Sequence, residues 1–141
     1  MTEKNMQTMW TKYIEAHQPK ESEVWELKFT KTSSLRFDAV KNHQRDALLL
    51  ASSHGLYHKI QDIPVTYYGS KARFTHQSPF DCMFITDAKA FVVVWFYKPR
   101  QPKIFIKIDI RDFLLMEKAT ERKSFTEEMA LKYGYEININ N

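Results

Sequence analysis

The chain has 141 residues, 43% hydrophobic and 14% aromatic, enough to bury the core of one ordinary domain spanning residues 1–141; its 3 Gly and 5 Pro exclude a fibrous or low-complexity chain. A net charge of +4 and a pI near 9.1 suit a polyanionic partner without establishing one. The single cysteine, Cys82, excludes an intrachain disulfide and a Cys-based zinc site, and reads as a small buried hydrophobe.

Residues 3–17 place Met6, Met9, Trp10, Tyr13 and Ile14 at helical spacing, which predicts an amphipathic helix. Residues 23–31 then switch to a period of two. Trp25, Leu27 and Phe29 point one way and Glu26, Lys28 and Thr30 the other, as on a strand with one apolar and one charged face. Residues 32–37 read as a connection. A helix is expected from Asp38, its cap, with Val40, Gln44, Ala47, Leu48 and Ala51 on one stripe and Gly55 as its stop.

Residues 56–60 read as a short strand and residues 64–78 as a long polar loop carrying Lys71, Arg73 and His76. Three strands follow, from Phe80, Ala90 and Lys103, the last two joined by a turn at Pro99–Pro102. Residues 111–120 look helical. Ser124 and Glu127 have capping-box spacing for a last helix over 124–133, ended by Gly134. This order predicts an α/β or α+β arrangement around a mixed sheet. The longest apolar run, Ala90–Tyr97, has eight residues, against roughly 20 for a membrane span. With no signal-peptide core in the first ten residues, the expectation is a cytoplasmic protein without membrane contact.

The chemistry-bearing text is Glu26-Leu27-Lys28. Two residues apart on a strand, a carboxylate and an ammonium stand side by side. The carboxylate suits Mg²⁺, a hard cation that takes oxygen ligands. The ammonium suits an attacking water and the charge that develops at phosphorus. The same spacing also serves a plain ion pair on an exposed strand.

The wider context resembles the RecU-type Holliday-junction resolvases of the PD-(D/E)xK nuclease superfamily. The matching text is ELKFTK (26–31), SLRFDAV (34–40) and KNHQ (41–44), then AFVVVWFYK, IFIKIDIRDFLL, Arg122-Lys123-Ser124 and Gly134-Tyr135-Glu136-Ile137. About 115 of the 141 residues follow the family's order. The resemblance implies an α/β restriction-endonuclease-like core, a mixed central sheet flanked by helices, and a homodimeric DNA endonuclease. It implies Mg²⁺, with Mn²⁺ as substitute, and four-way junctions as substrate. Glu26 and Lys28 would be catalytic, with Gln44 near the metal.

One departure stands out. The superfamily's first acid normally precedes the E-x-K strand, and no Pro-Asp text does so here. Ser78-Pro79-Phe80-Asp81 supplies it downstream, which makes Asp81 a relocated metal ligand or else the cap of a strand. A further acid is expected from the first helix, with Glu3 ahead of Glu15. For DNA contacts the expectation falls on Lys31, Lys41, His43, Lys71, Arg73, Lys98, Arg100, Arg122 and Lys123. Three other readings stay open: a repair- or restriction-type endonuclease on linear or flap DNA, a non-catalytic DNA-binding module on the same fold, and an interaction protein with no DNA role.

Overall fold

The computed structural model describes residues 1–19, 21–54, 56–59, 65–68, 71–74, 82–85 and 88–139, with backbone alone for the short strands between 56 and 85. Asp81 and His76 lie outside the described residues, as do the side chains of Lys71, Arg73 and Cys82.

Helix α1 (Glu3–Ala16) starts at a reciprocal cap. The Thr2 hydroxyl accepts from the Asn5 backbone N–H, and the Asn5 amide oxygen accepts from that of Thr2. Strand β1 (Glu23–Thr30) follows, and Trp25, Leu27 and Phe29 pack together on its α1 side, as their spacing predicts. The supposed connection holds a three-residue strand, β2 (Ser34–Arg36), which pairs with β9 (Ser124–Thr126).

The second helix begins later than expected. Residues Phe37–Ala39 form a 3-10 turn, and α2 runs Asn42–Ser53. Asp38 caps nothing; its carboxylate pairs with the Arg36 guanidinium at 2.6 Å. That hydrogen bond, together with the guanidinium's charge, holds the Asp38 carboxyl below its ordinary range.

Strands β3 (Leu56–Lys59) and β6 (Cys82–Ile85) pair antiparallel. The segment expected to be a polar loop contains a second antiparallel pair, β4 (Val65–Tyr68) with β5 (Lys71–Phe74). The core then continues with β7 (Lys89–Phe96), β8 (Ile104–Asp109) and α3 (Ile110–Ala119). The last helix, α4, is shorter than its capping signal suggests. It runs Glu127–Tyr133 and is capped by Thr126, not Ser124, which lies in β9. After Gly134 the chain makes an unforeseen strand, β10 (Tyr135–Asn138).

The main sheet has the order β1-β7-β8-β10. β1 and β7 are parallel; the other two pairings are antiparallel. The sheet is therefore mixed, and helices cover both faces. On one face Val92, Val94, Phe96, Ile106 and Ile108 pack against Phe37, Leu48, Phe113, Met116 and Phe125. On the other, Phe91, Val93, Trp95 and Phe105 pack under Met6 and Trp10 of α1. Each fully buried side chain of this size contributes about 1.5–3 kcal/mol.

Gly134 fits because the backbone passes close behind it; a Cβ there would sit 2.6 Å from the Lys107 carbonyl oxygen. No helix among the described residues is long and apolar enough to cross a membrane.

Candidate active site

Strand β1 lies at an edge of the main sheet among the described residues, so its side chains reach both helical layers and the open flank. Glu26 and Lys28 share the face turned to α2, as their spacing requires. The Lys28 ammonium forms an ion pair with Glu26 Oε1 at 2.9 Å. Both side chains are mostly covered, 15% exposed for Lys28 and 24% for Glu26.

Gln44 completes the cluster from α2. Its Nε2 donates to the same Glu26 Oε1 at 2.7 Å. Its Oε1 accepts the Lys41 backbone N–H at 2.9 Å, which satisfies an orphan donor of the helix start. These two bonds fix the amide orientation: oxygen to the helix start, nitrogen to the carboxylate. Glu26 Oε1 thus meets an ammonium and an amide donor, while Oε2 carries no hydrogen bond among the described residues.

The start of α2 is itself clamped. Arg45 donates to Val40 O at 2.8 Å and Phe37 O at 2.6 Å, and pairs with Glu117 of α3 at 2.5 Å. Its guanidinium also lies 5.5 Å from the centre of the Phe113 ring. Sequence reasoning passed over Arg45. The available signal was a cation one step from Gln44, on the inward side of an amphipathic helix.

A cavity of about 410 Å³ opens beside Glu26 on the α1 side of the edge. Glu3, Gln7, Thr11 and Glu15 line it from the helix, Trp25, Glu26 and Leu27 from the strand. Both first-helix acids are exposed, and both line this cavity, which Glu26 borders from the strand. No three His, Cys, Asp or Glu side chains stand together to hold an ion among the described residues. Mg²⁺ keeps several waters and is commonly held by one or two carboxylates plus substrate phosphates. Glu26, with one oxygen free of hydrogen bonds among the described residues, fits that requirement as a single carboxylate, and Glu3 lines the cavity on the α1 side.

Among the described residues, the expected DNA contacts are all exposed. Lys31, Lys41, His43, Arg100, Arg122 and Lys123 are exposed. Lys98 is exposed too but is paired with Glu127. Thr30 and Phe96 are register partners of parallel strands, so Lys31, Lys98 and Arg100 leave the same end of the sheet. Lys123 lies beside the 3-10 turn, where its carbonyl accepts from Phe37 N at 3.1 Å. Lys41 and His43 stand apart, at the start of α2 beside Gln44.

No protein-family model, no curated protein and no solved structure matches this chain.

Proposed function

We propose that the protein is a Mg²⁺-dependent DNA endonuclease on a restriction-endonuclease-like core, acting as a homodimer on four-way junctions. The observation that carries the reading is the meeting of Glu26, Lys28 and Gln44 from two separate elements, beside a cavity walled by Glu3. A pure surface ion pair has no use for a second, helix-borne partner on the same oxygen. The basic end of the sheet and the net charge of +4 supply the attraction for phosphate.

In this reading Glu26 Oε2 and Glu3 hold the cation, with Asp81 as a further ligand. When bound, Mg²⁺ neutralises phosphate charge and makes a bound water more acidic. Lys28 holds Glu26 in place and presents its ammonium to the developing negative charge at phosphorus. Gln44 fixes the carboxylate from the other side, leaving its free oxygen directed by two bonds on its partner oxygen. The homodimer supplies two such sites for the two strands of a symmetric junction.

The test is a labelled four-way junction and a linear duplex of the same sequence, each with Mg²⁺ or EDTA, beside Lys28→Ala. Paired nicks in the junction alone, lost with EDTA and with the variant, establish the reading. Cutting of both substrates keeps the nuclease and replaces junction selectivity with a repair- or restriction-type activity. Junction binding without cleavage under Mg²⁺ or Mn²⁺ sinks the enzyme and leaves a DNA-binding module.

A further inference from the structure

A second cavity, about 480 Å³, lies on the far side of Trp10 and Ile14 from the one beside Glu26. Ligand pockets span about 300–1,000 Å³, so it is wide enough for a small organic ring. Three features in and around it are unexplained by the cleavage chemistry.

The first is a run of near-parallel rings. Phe105 and Trp10 stack at 20°, Trp10 and Tyr13 at 26°, and Tyr13 and His17 at 21°, with the last centroids 4.3 Å apart. The run starts in the core at Phe105 and ends in solvent at His17. Tyr13 and His17 line the cavity, and so does Tyr135 of β10, 53% exposed despite its size.

The second is a buried ion pair lining the same cavity. Lys107 donates to both oxygens of Glu23, at 2.6 and 2.8 Å, with side-chain exposures of 8% and 11%. The Trp25 indole N–H donates to the same carboxylate at 2.8 Å. A pair this deep costs desolvation that apolar residues of similar volume would avoid. The third is the Trp10 indole N–H, fully buried and without a partner among the described residues. Such a donor is costly to bury unless something accepts from it.

Aromatic faces open to solvent, a hydrogen-bonding charged lining and a cavity of this size suit a flat ring with polar edges. We infer that this cavity receives an unstacked base of a single-stranded or branched DNA, stacked on His17, the open end of the α1 run, and on Tyr135. This rests on the reading of the protein as acting on DNA. It adds a base-binding subsite across Trp10 from the cleavage cavity. Base–aromatic stacking is sequence-tolerant, so the site would favour unpaired bases over any sequence.

The experiment uses the whole protein in EDTA, where no cleavage is read. A short single-stranded oligodeoxynucleotide is compared with an abasic sugar-phosphate chain of equal length, by tryptophan fluorescence and binding titration. The expected result is tighter binding and a change in Trp emission with the base-bearing strand alone. Tyr135→Ala and His17→Ala, both at exposed positions, should weaken it by about fivefold to a hundredfold, from the stacking energy of one base. Neither variant should alter binding of the abasic chain. Equal affinity for the two chains, or variants that bind the base-bearing strand like the parent, would overturn the subsite. Base-dependent binding in a protein that cuts no junction would keep the subsite and remove the nuclease. Cleavage with no base dependence would do the reverse.

Discussion

Strand β1 carries two glutamates three residues apart, on opposite faces of one sheet, and they have opposite surroundings. Glu23 gives both oxygens to Lys107 and one of them again to Trp25. Glu26 gives a single oxygen to Lys28 and Gln44 and keeps the other free of hydrogen bonds among the described residues. The first carboxylate is closed and the second open. A carboxylate whose lone pairs are all taken serves the fold; one held firmly on one side only is fit to take a ligand.

Breaking the closed pair should have the largest effect. Lys107→Ala leaves Glu23 buried without its cation and should cost about 3–5 kcal/mol in a denaturant titration. Replacing both partners, Glu23→Gln with Lys107→Met, should recover much of that loss. If the single variant is as stable as the parent, Glu23 is not closed in solution. At the open carboxylate the balance reverses. Lys28→Ala should lower the cleavage rate about a hundredfold to a thousandfold, with a stability loss smaller than that of Lys107→Ala. A melt that falls as far as that of Lys107→Ala would make the Lys28 pair structural too.

Gln44→Ala sharpens the contrast. It removes one hold on Glu26 and the acceptor for the Lys41 N–H, so a stability loss of about 1 kcal/mol is expected. Cleavage should fall as well, and Gln44→Glu should not restore it, because a second carboxylate cannot donate to the first. Gly134→Ala acts on the other side. Its new Cβ meets the Lys107 carbonyl and the Ile108 side chain, so it should cost about 1–3 kcal/mol by crowding. The cleavage rate of the folded fraction should be unchanged. The smallest effect is expected at Arg100, which holds φ at 61° in the β7–β8 turn. Arg100→Gly relieves that conformation at a cost in chain entropy, a net change within about 1 kcal/mol. DNA binding should weaken and its salt dependence flatten if the guanidinium meets phosphate.

The open site was largely legible in the sequence. A period of two fixes the shared face of Glu26 and Lys28, and the apolar stripe through Val40, Leu48 and Ala51 turns Gln44 inward toward that face. The structure adds the 2.7 Å bond that joins the strand to the helix. The closed site was not legible, because its partners are 84 residues apart and meet across an intervening strand. A lysine inside the apolar text IFIKIDI was the visible signal.

Short elements failed for another reason. Strands β2 and β9 have three residues each, too few for any period to register, and each is a strand through its pairing with the other. The start of α2 was misplaced because Asp38 has a capping side chain that is instead occupied by Arg36. Ser124 misled in the same way, with Thr126 two residues later taking the cap.

The parallel pairing of β1 with β7 also bears on how the molecule assembles. Glu23 is in register with Lys89, 66 residues further on, whereas β7 and β8 are joined by a short turn. Local pairings close early and distant ones late, since each long loop must first lose its freedom. The β7–β8 hairpin with α3 is thus the natural nucleus, and β1 docks onto a sheet already half built. Until β1 docks, Glu26 and Lys28 have no neighbour in Gln44, so the candidate centre exists only in the assembled sheet. A ligand that bridges β1 and α2 should therefore stabilise the folded state and raise the melting temperature with its concentration.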